Sequence, residues 1–192
     1  LDAVNYGTGN WNPLSAILHL YCNSICLTNY VLHTHLSDLK YESVVTHSSV
    51  LRAVIDYVLK AIGTSGQVMV ADAPLKDADF GEIIRKSQID NVLAFYKNQG
   101  YDVNLLDMRL LKVEQRDGFV VRRDYNPEQM SNSRVIDIGD ASAFNEIEHL
   151  MYRVAGADYN RRDTNGHHTN GNHEYCVSRH ILDADVVLNV GK

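Results

Sequence analysis

The chain has 192 residues, 45% of them hydrophobic, which is enough to bury a sizeable core as one domain. A net charge of −6 argues against broad binding to nucleic acid or anionic membranes, and no apolar run approaches the roughly 20 residues of a bilayer span. The three cysteines, Cys22, Cys26 and Cys176, are odd in number and form no CxxC pair, so a reducing cytoplasm is expected rather than a disulfide framework.

Residues 1–20 open with a Gly/Asn/Trp-rich turn, GTGNWNP, and an apolar segment at 14–20 that predicts one helix. Residues 23–32 (NSICLTNYVL) read as a first strand, and 33–42 (HTHLSDLKYE) as a loop. The organising stretch is 46–74. Leu51, Val54, Ile55, Val58, Leu59 and Ile62 recur at i, +3, +4, +7, +8 and +11, which is one helical face, while Arg52, Asp56 and Lys60 line the other. Thr46 is the expected cap and Gly63 the left-handed stop. Residues 67–71 then read as a buried strand ending in Asp72-Ala73-Pro74.

Helices are expected at 80–87 and 90–98, with Asp79 and Asp90 as caps and Gly100 as a stop. A strand follows at 103–107. Segments 110–114 and 119–123 flank Arg116-Asp117-Gly118, a hairpin signal because Asp-Gly tolerates positive φ. A strand is expected at 134–138 and a short helix at 143–151. Residues 158–174 (DYNRRDTNGHHTNGNHE) are almost free of apolar side chains and predict a long loop. A helix at 175–182 and a hydrophobic strand at 185–190 complete the reading. Strands alternating with helices predict a single α/β domain: a Rossmann-like, open, mainly parallel sheet flanked by helices, with a β-hairpin insertion near 110–123. In such sheets ligands sit outside the carboxyl ends of the strands.

The chemistry-bearing residues gather at those expected ends. His33 and His35, two apart in extended backbone, can share a divalent metal or serve as ordinary loop histidines. His47, at a helix start, can bind metal, polarise a substrate oxygen or simply cap. Asp72, at a strand end, suits a metal, a sugar hydroxyl or a histidine N–H, or stabilises its own turn. His173 lies in the histidine-rich segment with His167, His168 and Glu174, and folding over the strand ends would bring it near His33 and His47. Cys22 and Cys26 read as core thiols, so no iron–sulfur cluster is expected within the chain. No GxGxxG follows a strand, and neither a Walker A lysine nor a GxSxG elbow is present, which removes nucleotide and serine-hydrolase readings.

The order TNYVLHTH, YESVVTHSSVLRAVIDYVL, ADAP, HEY and LDADVVLNVGK resembles the family catalogued as domain of unknown function 362, over residues 11–192. That family comprises α/β proteins, some fused to ferredoxin-like iron–sulfur modules. The chain departs from it at three places. Leu27-Thr28-Asn29 stands for Lys-Pro-Asn, Thr46-His47-Ser48 for Thr-His-Pro, and Gly191 for a proline that precedes Lys-Leu-Lys-Thr-His. The resemblance implies the N-terminal part of a longer family member. At the strand ends the expected site of this chain has Asn29 against a cofactor, His47 and Asp72 in catalytic roles, and His33, His35 and His173 toward a metal, although the family itself has no settled reaction. The partners it implies are a small molecule and an iron–sulfur module or protein, with no nucleic acid and no membrane. The alternatives are a non-catalytic binding module for an anionic metabolite or protein, and an inactive truncated remnant.

Overall fold

A computed structural model describes Leu14, Leu18 and residues 22–34, 43–154 and 161–191. The expected helix at 14–20 and most of the loop at 33–42, His35 included, therefore lie outside the described residues. The chain divides into two compact units, residues 1–130 with 183–192, and residues 131–182.

The first unit is built on four parallel strands, β1 (Asn23–Leu27), β2 (Gln67–Asp72), β3 (Asp102–Asp107) and, from the far end of the chain, β9 (Val186–Asn189). Their order across the sheet is β3-β2-β1-β9. Cys26 stands opposite Val70 on one side and Leu188 on the other. The strands at 67–71 and 185–190 thus share a sheet and a direction, but they are not the neighbours that successive crossovers would make them. β1 lies between them. Its apolar run, fully buried at Ile25 and Cys26, suits a central position flanked on both sides. β9 is anchored at its start by Asp185, whose Oδ2 accepts the Asn23 N–H at 2.7 Å.

Helix α1 (Ser48–Ile62) buries Leu51, Ile55, Val58, Leu59 and Ile62, the face the spacing predicts. Its cap is His47 rather than Thr46: the His47 side chain accepts from the Ser49 N–H, while Thr46 is turned to other partners. Gly63 ends the helix at φ 65°, and its N–H donates to Leu59 O. In the turn that follows, a Cβ on Gly66 would lie 2.7 Å from the Cys22 carbonyl oxygen and 2.8 Å from the Ile62 side chain, so only glycine fits. Burial pushes the Cys26 thiol up to about 12, which fits a core thiol and not a ligand.

Helix α2 (Phe80–Ser87) starts at Asp79, whose Oδ1 accepts the Glu82 N–H at 3.0 Å, as expected. Asp90 is not a cap. Gln88, in left-handed conformation, separates α2 from α3 (Ile89–Lys97), and Asp90 sits in the first turn of α3. The hairpin of β4 (Leu111–Arg116) and β5 (Phe119–Tyr125) closes on Asp117 and Gly118, both at positive φ, the conformation that the Asp-Gly pair predicts. A five-residue helix, α4 (Pro127–Ser131), follows.

The second unit is antiparallel. β6 (Ser133–Asp137), β7 (His168–Thr169) and β8 (Asn172–Ser178) form a sheet in the order β6-β8-β7. The short helix expected at 143–151 is present as a kinked 3-10 helix over residues 145–153. The predicted loop at 158–174 is largely replaced, among its described residues, by α5 (Arg161–Gly166), β7 and the start of β8. Its polarity hides a hairpin whose turn residues, Asn170 (φ 56°) and Gly171 (φ 75°), are themselves an Asn-Gly turn signal. The helix expected at 175–182 is also corrected. Tyr175–Ser178 extend β8 against β6, and only α6 (Arg179–Leu182) is helical. The apolar residues of β8, Tyr175, Cys176 and Val177, are consecutive rather than alternating, so periodicity alone misreads the strand.

Candidate functional site

In the first unit β1 and β9 are adjacent, yet the chain leaves β1 toward β2 and β3 on the other side. Thr46, 5% exposed, holds the ends of these two strands together. Its Oγ1 accepts the Asn29 N–H at 2.9 Å and donates to Val190 O at 3.0 Å, and its own N–H donates to Asn29 O at 3.0 Å. The start of α1 therefore stands in front of the strand ends. The Asn29 side chain is half-buried there and has no hydrogen-bond partner among the described residues. His47 is exposed. Its Nδ1 accepts from the Ser49 N–H at 3.2 Å and lies 2.7 Å from Ser49 Oγ. With Nδ1 accepting, the neutral ring carries its proton on Nε2, which faces away from these bonds as a donor. Beside the same strand end lies an apolar cavity of about 280 Å³, lined by Leu14, Val54, Tyr57, Leu188, Asn189 and Val190.

Asp72 has a different neighbourhood. Its two oxygens accept the backbone N–H groups of Tyr30 and Ala73, so it ties the exit of β1 to the exit of β2. Burial lifts its carboxyl above the usual carboxylate range. The two N–H groups oppose that rise, and the nearby Asp107 charge adds to it. Asp107 is its register partner on β3. There burial also pushes upward, but the hydrogen bonds of Arg109 and Lys112 outweigh it and hold the carboxyl below its ordinary value. Arg109 reaches Asp107 through Nε at 2.9 Å and Nη2 at 2.7 Å, and its Nη1 donates to the carbonyls of Leu75 and Ala78. This forked, buried arginine is structural: Asp107 at the end of β3 takes one side of its guanidinium, and the loop that follows β2 takes Nη1.

His33 and His173 are each bound into their own unit. His33 Nδ1 accepts the Asp79 N–H at 3.0 Å, and its carbonyl takes Lys86 Nζ at 2.7 Å. His173, wholly buried in the second unit, donates its N–H to Asp137 Oδ1 at 2.8 Å and faces His168. Burial lowers the His168 pKa, with the charges of His173 and His167 acting the same way against Glu174. Among the described residues no three His, Cys, Asp or Glu side chains are grouped to hold one ion. The strand-end residues that sequence reasoning missed are Thr46 as a bridge and the pair Asp107–Arg109. The Asp-x-Arg spacing just past a strand was the available signal. No family model, curated protein or solved structure matches the chain.

Proposed function

We propose that the first unit is a Rossmann-like binding module for a small anionic metabolite with an apolar portion, seated where β1, β9 and the start of α1 meet. The observation that carries this reading is the Thr46 bridge. It joins the two strands at which the chain reverses direction across the sheet, the place where open parallel sheets bind ligands. The helix start contributes a favourable field for negative charge. His47 Nε2–H and the Asn29 amide supply donors, and both Asp72 oxygens are taken up by backbone N–H groups. The cavity beside Val190, about 280 Å³, falls just below the usual ligand-site range of about 300–1,000 Å³, so only a compact apolar group suits it. The resemblance to the domain of unknown function 362 family supports the same site, and with it a cytoplasmic protein serving an iron–sulfur partner. In this reading Asn29 and His47 recognise the ligand, and Asp72 shapes the loop that carries them.

Thermal-shift screening against phosphate and carboxylate metabolites tests it. Compounds carrying both an anionic and an apolar group are expected to raise the melting temperature. His47→Ala and Asn29→Ala should each weaken the best hit about tenfold or more, the equivalent of roughly 1.4 kcal/mol. Hits that bind both variants as tightly as the parent would place the ligand elsewhere.

A further inference from the structure

We propose that His168 and His173 form a two-histidine chelate for a divalent transition-metal ion, with zinc as the type case. The two residues stand directly opposite each other on β7 and β8, so antiparallel pairing puts both side chains on one face. Their Nδ1 atoms are 3.4 Å apart. That is long for an N–H hydrogen bond, whose usual spacing is about 2.9–3.0 Å. Two nitrogens that each lie about 2.0–2.1 Å from a tetrahedral zinc stand about 3.3–3.4 Å apart, so the observed spacing is that of a chelate edge.

The surroundings of His173 match a ligand as well. The ring is 0% exposed, and Nε2 has no hydrogen-bond partner among the described residues. Glu148 Oε2 lies 4.0 Å from it. A metal-bound histidine commonly turns its other N–H toward a carboxylate, and coordination through Nδ1 puts that proton on Nε2, facing Glu148. Glu148 is itself fixed, accepting the N–H groups of Asn170 at 2.6 Å and Gly171 at 3.1 Å. Around His168 the rings of Phe144 and Tyr175 stand edge-on at 4.9 and 5.3 Å, which limits the swing of the imidazole. The adjacent His167, whose Nδ1 lies 2.6 Å from Glu174 Oε2, is not grouped with this pair as a third ligand among the described residues. Two protein ligands leave the other coordination positions to water or to a bound small molecule. The chelate lies within the second unit and does not depend on the reading of the first.

The test is calorimetry with zinc chloride alone on the full chain without a histidine tag, together with nitrogen spectra of the histidine side chains. One saturable site is expected, with the Nδ1 resonances of both His168 and His173 moving on zinc addition. His168→Gln, a substitution at a partly exposed ring, should lower the affinity at least tenfold, whereas His167→Gln should leave it within twofold. His173→Gln should abolish binding. Because that variant removes a buried ring, its retained fold is checked by circular dichroism, and His168→Gln carries the test if it unfolds. The absence of a saturable site overturns the proposal. So does equal affinity in His168→Gln, or zinc shifts confined to His33 and His47.

Discussion

The two units are held together by different means. Fully or nearly fully buried apolar side chains pack the first unit around its parallel sheet, among them Ile25, Leu51, Ile55, Val58, Ile62, Val68 and Val70. In the second unit the buried described residues are Ser142, Met151 and His173, and two of those three are polar. Its order rests on strand pairing and on carboxylates that take up turn N–H groups, Asp137 at Gly139 and His173, and Glu148 at Asn170 and Gly171. A hydrogen bond nets only about 0.5–1.5 kcal/mol, whereas burying a large aliphatic side chain contributes about 1.5–3 kcal/mol. The first unit is therefore a scaffold that can hold a site rigidly, and the second should open at lower cost.

The largest effect that can break this contrast is in the first core. Leu51→Ala, at a wholly buried position on α1, should cost roughly 2–5 kcal/mol in a urea melt through lost transfer energy and an unfilled cavity. A cost under about 1 kcal/mol would mean that α1 is not packed as described.

Next is the ion pair at the end of β3. Asp107→Asn removes the partner of a buried arginine, and a loss of about 2–3 kcal/mol at neutral pH is expected, below the roughly 3–5 of a fully buried pair. The sign with pH follows from the depressed folded pKa of Asp107. Its contribution is complete above the unfolded carboxylate pKa and is lost as pH falls through the folded value. The gap between parent and Asp107→Asn should thus narrow on acidification below the ordinary carboxylate range. Asp72, whose folded pKa is raised, acts in the opposite sense: its burial costs stability at neutral pH, and protonation relieves the cost. A gap that widens toward low pH would contradict the assignment of Asp107.

Smaller and more local is Glu148→Gln, which weakens the acceptor for the Asn170–Gly171 turn. About 1–2 kcal/mol of protection should disappear from those two amides in hydrogen exchange. Protection in β1 and β2 should not change. The smallest change is Arg52→Ala, on the exposed side of α1 above the Phe95 ring, which should stay within about 0.5 kcal/mol.

What could be read in the sequence divides along the same line. The α1 face and the strand at 67–71 were legible through the pattern that burial imposes on the sequence, and the Asp-Gly hairpin and the Asp79 cap through their own turn and capping chemistry. β7 and β8 were not. Their positions are polar or half-exposed, so the period of two is lost, and the Asn170-Gly171 signal was swamped by the polar residues around it. Within the candidate site, His47 and Asp72 were singled out because each borders a legible element, and Asn29 through the family resemblance. The part of Asp72 that was readable is its hold on its own turn through the Ala73 N–H, whereas its tie to the backbone N–H of Tyr30, 42 residues away, was not. The pairing of His168 with His173 needed the hairpin register, which composition does not encode.

The claim on which the functional account rests is that ligand binds where Thr46 joins β1 to β9. Amide shift mapping with phenyl phosphate, with phosphate and phenol as the separate halves of the probe, examines it directly. The expected result is saturable shifts at Asn29, Thr46 to Ser49 and Val190 to Gly191, with Val54 and Tyr57 following the aromatic half. Saturable shifts confined to residues 131–182, or no saturable shift at any of these positions, would contradict it.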